Sequence, residues 1–313
     1  LYDSTRGVSK ILFADDTGAE ASSPLVLTAF NSDGFSLSAD ALGNDNSDTY
    51  VSWQWKANGG TTTTNDASAT SVGTIDSVYQ ANTTAGFSIV TYTGTGSAGT
   101  IAHGLGAVPS WIIIKARTEP TGGVHFGSDQ GNWVVYHQAT ASDPETDLLL
   151  LNDNAGVVDS TGHMNDTAPT SSVFTINTNV DVNESSDTYV AYCFTEIKGY
   201  SKFGSYTGNA NTDGPFVYTG FKPAWLMIKR TDAENSWYIL DSTRGSTNPV
   251  SAELEANTTG VEATSNVRLD ILSSGYKIRT SGAAYNASGG TYVYMAFAEH
   301  PFVSSKGVPT TAR

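Results

Sequence analysis

Apolar residues along this chain come in short runs separated by clusters of Asn, Asp, Ser, Thr and Gly. Trp111-Ile-Ile-Ile and Trp225-Leu-Met-Ile are apolar on both parities, the pattern of a central strand covered on both faces. Elsewhere the pattern alternates. Tyr292-Val-Tyr-Met-Ala-Phe297 puts Tyr292, Tyr294 and Ala296 on one face and Val293, Met295 and Phe297 on the other. No long stretch carries apolar residues at helical spacing, and the intervening Gly, Asn and Asp supply the positive φ angles that tight turns require. The pattern predicts an all-β chain of two-sheet sandwiches, with jelly-roll or concanavalin-like topology.

The runs repeat. Gly34-Phe35 to Thr49-Tyr50-Val51, Val173-Phe174 to Thr188-Tyr189-Val190, and Gly275-Tyr276 to Thr291-Tyr292-Val293 share one plan: a short strand, a polar loop, then a strong strand opening Thr-Tyr-Val. The loops Asn44–Asp48, Asn183–Asp187 and Asn286–Gly290 read as hairpin turns by composition. Two of the copies match over a longer stretch. Tyr92-Thr-Gly94 pairs with Tyr206-Thr-Gly208, Trp111 with Trp225, Lys115 with Lys229 and Trp133 with Trp237. The first copy holds only the back half, and its Leu1-Tyr-Asp-Ser-Thr-Arg-Gly7 resembles Leu240-Asp-Ser-Thr-Arg-Gly245. Its Tyr-Thr-Gly and Pro-x-Trp strands are therefore expected upstream of Leu1 or from another chain.

This divides the chain into a partial repeat over 1–58, a polar linker over 59–78, full repeats over 79–199 and 200–302, and a tail over 303–313. The run Gly59-Gly-Thr-Thr-Thr-Thr-Asn-Asp-Ala-Ser-Ala-Thr70 has the composition of a flexible spacer, so the first repeat is expected to be loosely tethered.

Composition adds exclusions rather than chemistry. A formal net charge of −15 would repel phosphate backbones and anionic lipid, so nucleic acid is not an expected partner. One cysteine, Cys193, rules out an internal disulfide framework and a cysteine-based zinc site. No segment is apolar for long enough to read as a membrane-spanning helix.

Candidate site residues are few. Asp3-Ser-Thr-Arg6 recurs as Asp241-Ser-Thr-Arg244, and Asp241 with Arg244 forms one candidate ligand-binding pair, against a local ion pair that shapes its loop. Trp53 and Trp55 share a strand parity and form the second, since indole faces stack on sugars. Trp111, Trp133, Trp225 and Trp237 occupy matched repeat positions and are expected in the core. His103 reads as a turn residue, and the remaining histidines are scattered. No Gly-x-Ser-x-Gly, phosphate loop, zinc signature or same-parity carboxylate pair is present, so no enzyme activity, metal or cofactor is expected.

Phe87-Ser-Ile-Val-Thr-Tyr-Thr-Gly, Ile101-Ala-His-Gly-Leu-Gly-Ala-Val-Pro-Ser-Trp111, Tyr189-Val-Ala-Tyr-Cys-Phe194 and Gly214-Pro-Phe-Val-Tyr-Thr-Gly-Phe-Lys-Pro-Ala-Trp225 together resemble a repeat of tailed-bacteriophage virion proteins. The resemblance covers 79–302 well and 1–56 in part. It implies a β-sandwich at a virion surface, in a tail fibre or capsid-attached fibre that contacts other virion proteins and forms homo-oligomers. A host-receptor adhesin that binds surface glycans is the alternative.

Overall fold

The computed structural model describes residues 1–23, 26–119 and 131–300. Among them the regular structure is almost entirely antiparallel strand, and each helix is a single turn of four residues, so the all-β expectation holds. The chain forms two compact units. One comprises Leu1–Pro109, Ile113–Trp133 and Gly162–Phe194; the other comprises Ser110–Ile112, Val134–Thr161 and the chain from Thr195.

In the second unit five strands lie in the order Ser201–Thr207, Thr291–Ala298, Pro223–Arg230, Trp237–Asp241, Leu254–Glu255. A second sheet orders Phe216–Tyr218, Gly275–Ile278 and Leu269–Leu272. Leu226, Ile228, Tyr292 and Tyr294 of the first sheet share a buried core with Val217, Leu269, Tyr276 and Ile278 of the second. That shared core makes the unit a sandwich. Tyr292, Tyr294 and Ala296 point into it as their parity predicts, and Val293, Met295 and Phe297 are buried as well. Pro223–Arg230 is central, paired on both edges. Burial of each Leu or Ile there is worth roughly 1.5–3 kcal/mol, against a strand-propensity scale spanning about 1 kcal/mol. Tertiary cover therefore holds this run in the sheet.

In the first unit the ladder runs Thr63–Asn65, Ser77–Asn82, Phe87–Thr93, Thr188–Phe194, then residues 113–116 of the Trp111–Ala116 strand. Gly99–Ala102 pairs separately with Val173–Ile176. Phe174 meets Tyr92 edge-on at 6.3 Å, closing the space between the two sheets.

The polar loops are not hairpin turns. Val173–Ile176 and Thr188–Phe194 belong to different sheets, as do Gly275–Ile278 and Thr291–Ala298, so each loop crosses the sandwich. A crossing strands backbone polar groups, and one asparagine collects them. Asn183 donates to the carbonyls of Ser97 and Asn177 (both 2.7 Å) and accepts from the Thr95 amide at 2.8 Å. Asn286 likewise bonds the Asn211 and Thr280 carbonyls and the Asn209 amide. A tyrosine hydroxyl closes each loop: Tyr189 donates to Val180 O and accepts from Glu184 N, while Tyr292 donates to Ala283 O and accepts from Ala287 N.

The first repeat keeps this loop but not the strand after it. Tyr50 bonds Ala41 O and Asp45 N, and Asn44 bonds Ser38 O, yet Thr49–Trp55 lies in no sheet. The Thr-Tyr-Val strand expected here is absent because no described strand lies alongside to pair with it. Leu37 and Phe30 stay 38% and 43% exposed, where the equivalent Ile278 and Ile271 are buried.

The polar run after Gly59 also differs from expectation. Thr63–Asn65 is a strand, and Asp66 caps the helical turn Ala67–Thr70 by accepting from the Ser68 and Ala69 amides. Nor is the first repeat loosely tethered. The buried Gln80 carboxamide accepts from the Asn58 and Gly60 amides and donates to the Ser4 and Thr5 hydroxyls. The tail over 303–313 lies outside the described residues.

Candidate functional site

Each unit is completed by a hairpin from the preceding sequence repeat. Lys10–Ile11 pairs with Ala21–Ser22 in the first unit, and Asp147–Leu150 with Val158–Asp159 in the second. Trp133 Nε1–H donates to the carbonyls of Phe13 and Asp16 (2.9 and 3.2 Å). Trp237 Nε1–H donates to Leu150 O at 2.7 Å. Lys115 Nζ donates to Thr17 O and Gly131 O (2.7 and 2.6 Å), and Lys229 Nζ to Asn154 O and Asn235 O (2.9 and 2.5 Å). A strand-edge bond completes each seat: Glu20 N to Arg117 O at 2.9 Å, and Val157 N to Thr231 O at 2.8 Å.

Both lysines are fully buried, with the ammonium 6.0 Å from the centre of the partner indole ring. Burial lowers each to about 8, which leaves the ammonium charged at neutral pH. The carbonyls each lysine meets satisfy donors that would otherwise be stranded away from water. Sequence matching paired Lys115 with Lys229 but did not find the seat. The available signal was a charge closing a run apolar on both parities.

Asp241 and Arg244 lie together in the loop that leads to a third hairpin, closed by the antiparallel bridge Glu253↔Ala263. Asp241 Oδ1 accepts from the Thr243 and Arg244 amides, and Oδ2 from Arg244 Nε at 2.6 Å. Arg244 also reaches Glu262 and the Ile239 carbonyl. Burial opposes ionisation of Asp241, but the Arg244 amide and guanidinium outweigh it and hold the carboxyl below its usual range. Asp3 and Arg6 repeat every one of these bonds, with Glu20 and Leu1 O as the outer partners. The geometry braces a turn with side-chain-to-backbone bonds.

Trp53 and Trp55 are half-buried, and Trp55 meets Phe194 edge-on at 6.3 Å. Trp53 and Trp55 belong to the first unit, Asp241 and Arg244 to the second. The four matched tryptophans are buried. His103 and His137 are buried with Nδ1 accepting from the amide two residues on, which makes Nε2 a donor to Thr170 O and to Tyr294 O. His125 lies outside the described residues. Among the described residues no three of His, Cys, Asp or Glu gather as a metal-ligand set. The bend of the third hairpin holds a shallow depression of about 130 Å³ lined by Glu253, Glu255, Thr258, Gly260, Val261 and Ala263. Glu253 there is committed to Arg268 and to the Tyr285 hydroxyl. No helix among the described residues is long and apolar enough to cross a membrane.

Comparison with curated proteins and with solved structures gave no match. A family model described as a domain of unknown function, DUF7483, matches residues 1–301 as one domain, and the chain belongs to that family.

Proposed function

We propose that this chain is a non-enzymatic structural module of a bacteriophage virion, in a tail fibre or capsid-attached fibre, and works by interlocking β-sandwiches. The supporting observation is the hairpin seat, built twice from the same indole, ammonium and strand-edge bonds. Such a seat joins a segment of one repeat to the body of the next, as an extended structural polymer requires. The strongly acidic composition suits a surface kept apart from its neighbours. Antibody labelling of purified particles from the phage that encodes the chain tests this. Decoration of fibres is the expected result, and absence of the protein from washed particles would overturn it.

A second reading, a glycan-binding adhesin, is favoured by Tyr50 at 50% exposure, close in sequence to the half-buried Trp53 and Trp55. Glycan-array binding that falls on Trp53→Ala or Trp55→Ala would select it over the purely structural role.

A further inference from the structure

Gly99–Ala102 in the first unit and Phe216–Tyr218 in the second are equivalent strands at the edge of a sheet. Ile101 opposes Phe174 as Val217 opposes Tyr276, and all four are buried. The bonds His103 N to Ser172 O and Thr219 N to Ser274 O fix the parity of the two ladders. By that parity the amide and carbonyl of Thr100, Ala102, Phe216 and Tyr218 point away from the paired strand, along the outer edge.

In the first unit the chain itself covers this edge. Thr100 O accepts from Thr74 N and Ile75 N (2.9 and 3.2 Å), and Thr100 N donates to Thr74 Oγ1 at 2.8 Å. Ala102 O accepts from Ser77 Oγ. In the second unit, Gly275–Ile278 is the strand paired with Phe216–Tyr218 among the described residues, and no bond from them reaches its outer edge. The covering segment has no counterpart there, because only residues 195–200 separate Ser201–Thr207 from the strand before it.

Nothing blunts this edge. Phe216, Val217 and Tyr218 carry no charge, and Pro215 turns its missing donor inward, since Pro215 O accepts from Ile278 N at 3.0 Å. Phe216 and Tyr218 are 47% and 67% exposed on the face opposite the buried Val217. The exposed Asp213 stands before the strand and the part-exposed Lys222 after it.

We infer that Phe216–Tyr218 is a self-pairing edge, whose partner is the same strand of a second copy of this chain, antiparallel about a two-fold axis at Val217. In that register Phe216 exchanges main-chain hydrogen bonds with Tyr218 of the second copy, and Tyr218 with its Phe216. Opposed side chains of an antiparallel pair share a face, so each exposed ring meets an aromatic ring of the other copy. The Asp213 end of one strand runs towards the Lys222 end of the other, setting opposite charges together in an acidic chain. The two three-stranded sheets become one continuous sheet through an isologous contact. The inference does not rest on the virion reading.

Sedimentation velocity of the whole chain over a concentration series, with amide hydrogen exchange at each concentration, tests the edge. Expected is a monomer–dimer equilibrium in which the Phe216 and Tyr218 amides gain protection as dimer forms. Tyr218→Pro removes an amide that no bond inside the unit uses, and Tyr218→Lys places a charge on the edge. Each should weaken dimerisation by about tenfold or more while leaving the thermal melt in place. Should the proline variant fail to fold, the lysine variant carries the test. A chain that stays monomeric with both amides exchanging freely would overturn the second copy as occupant. So would amides already protected at the lowest concentration, the sign of cover by a segment of the same chain. Dimerisation indifferent to both substitutions would put the contact elsewhere and overturn the edge.

Discussion

His137 is buried in the second unit with both ring nitrogens engaged, and burial brings it down to about 4. The unfolded chain therefore takes up a proton near pH 6.5 that the folded chain refuses until about pH 4. Stability from this residue is complete above pH 6.5 and falls as pH drops through that window, by roughly 3 kcal/mol at pH 4. A pH series of urea melts should show this slope, and His137→Asn should flatten it. Lowering of His103 by burial adds in the same direction. At the seat, Trp237→Phe removes the donor to Leu150 O and should cost roughly 1–3 kcal/mol in the second unit by equilibrium unfolding. The matched tryptophans were legible as core from their recurrence. Their N–H role was not, because a hydrogen bond to a backbone carbonyl leaves no trace in the acceptor's side chain.

Among elements, the crossing loops make the sandwich and the hairpins fasten it. Asn183→Ala and Asn286→Ala each strand several buried backbone groups and should cost about 2–4 kcal/mol. Asn44→Ala, in the exposed loop, should cost less than about 1 kcal/mol; thermal melts of the three variants compare them directly. Hairpin tips differ in the same graded way. A Cβ on Gly156 would lie 2.7 Å from Thr231 O, so Gly156→Val should destabilise the second unit by about 1–3 kcal/mol. In the third hairpin Val261 is 92% exposed, and Val261→Gly should stay within about 0.5 kcal/mol of wild type in the same melts. Strand existence and parity were readable because burial on one or both faces imposes a period. Loop direction was not. Asn, Ser and Asp suit a hairpin turn and a sheet crossing equally, and only the sheet membership of the flanking strands separates them.

Across the whole molecule, the compact units do not coincide with the sequence repeats. Residues 134–161 sit within the second repeat by sequence yet complete the second unit, whose body comes from the third. Residues 1–22 stand in the same relation to the first unit. Deleting 1–22 should uncover Trp133 and Lys115 and strip amide protection from Phe87–Thr93 and Thr188–Phe194. Protection in Pro223–Arg230 should survive, and hydrogen exchange resolves the two outcomes. The offset was not visible in the sequence. Internal similarity marks where a copy begins, whereas a compact unit is defined by which surfaces bury one another.

The segment Leu148–Leu151 gives the offset a consequence in time. These four leucines are buried, and their hairpin accepts hydrogen bonds from Trp237 and Lys229, which are translated some eighty residues later. At about 5–20 residues per second of synthesis, the hairpin leaves the ribosome several seconds before its seat exists. Through that interval a run of four leucines is open to chaperones or to the nascent chain of a neighbouring ribosome. Production of this protein is therefore most exposed to aggregation during elongation, and slowing translation between residues 151 and 237 should lower the soluble yield.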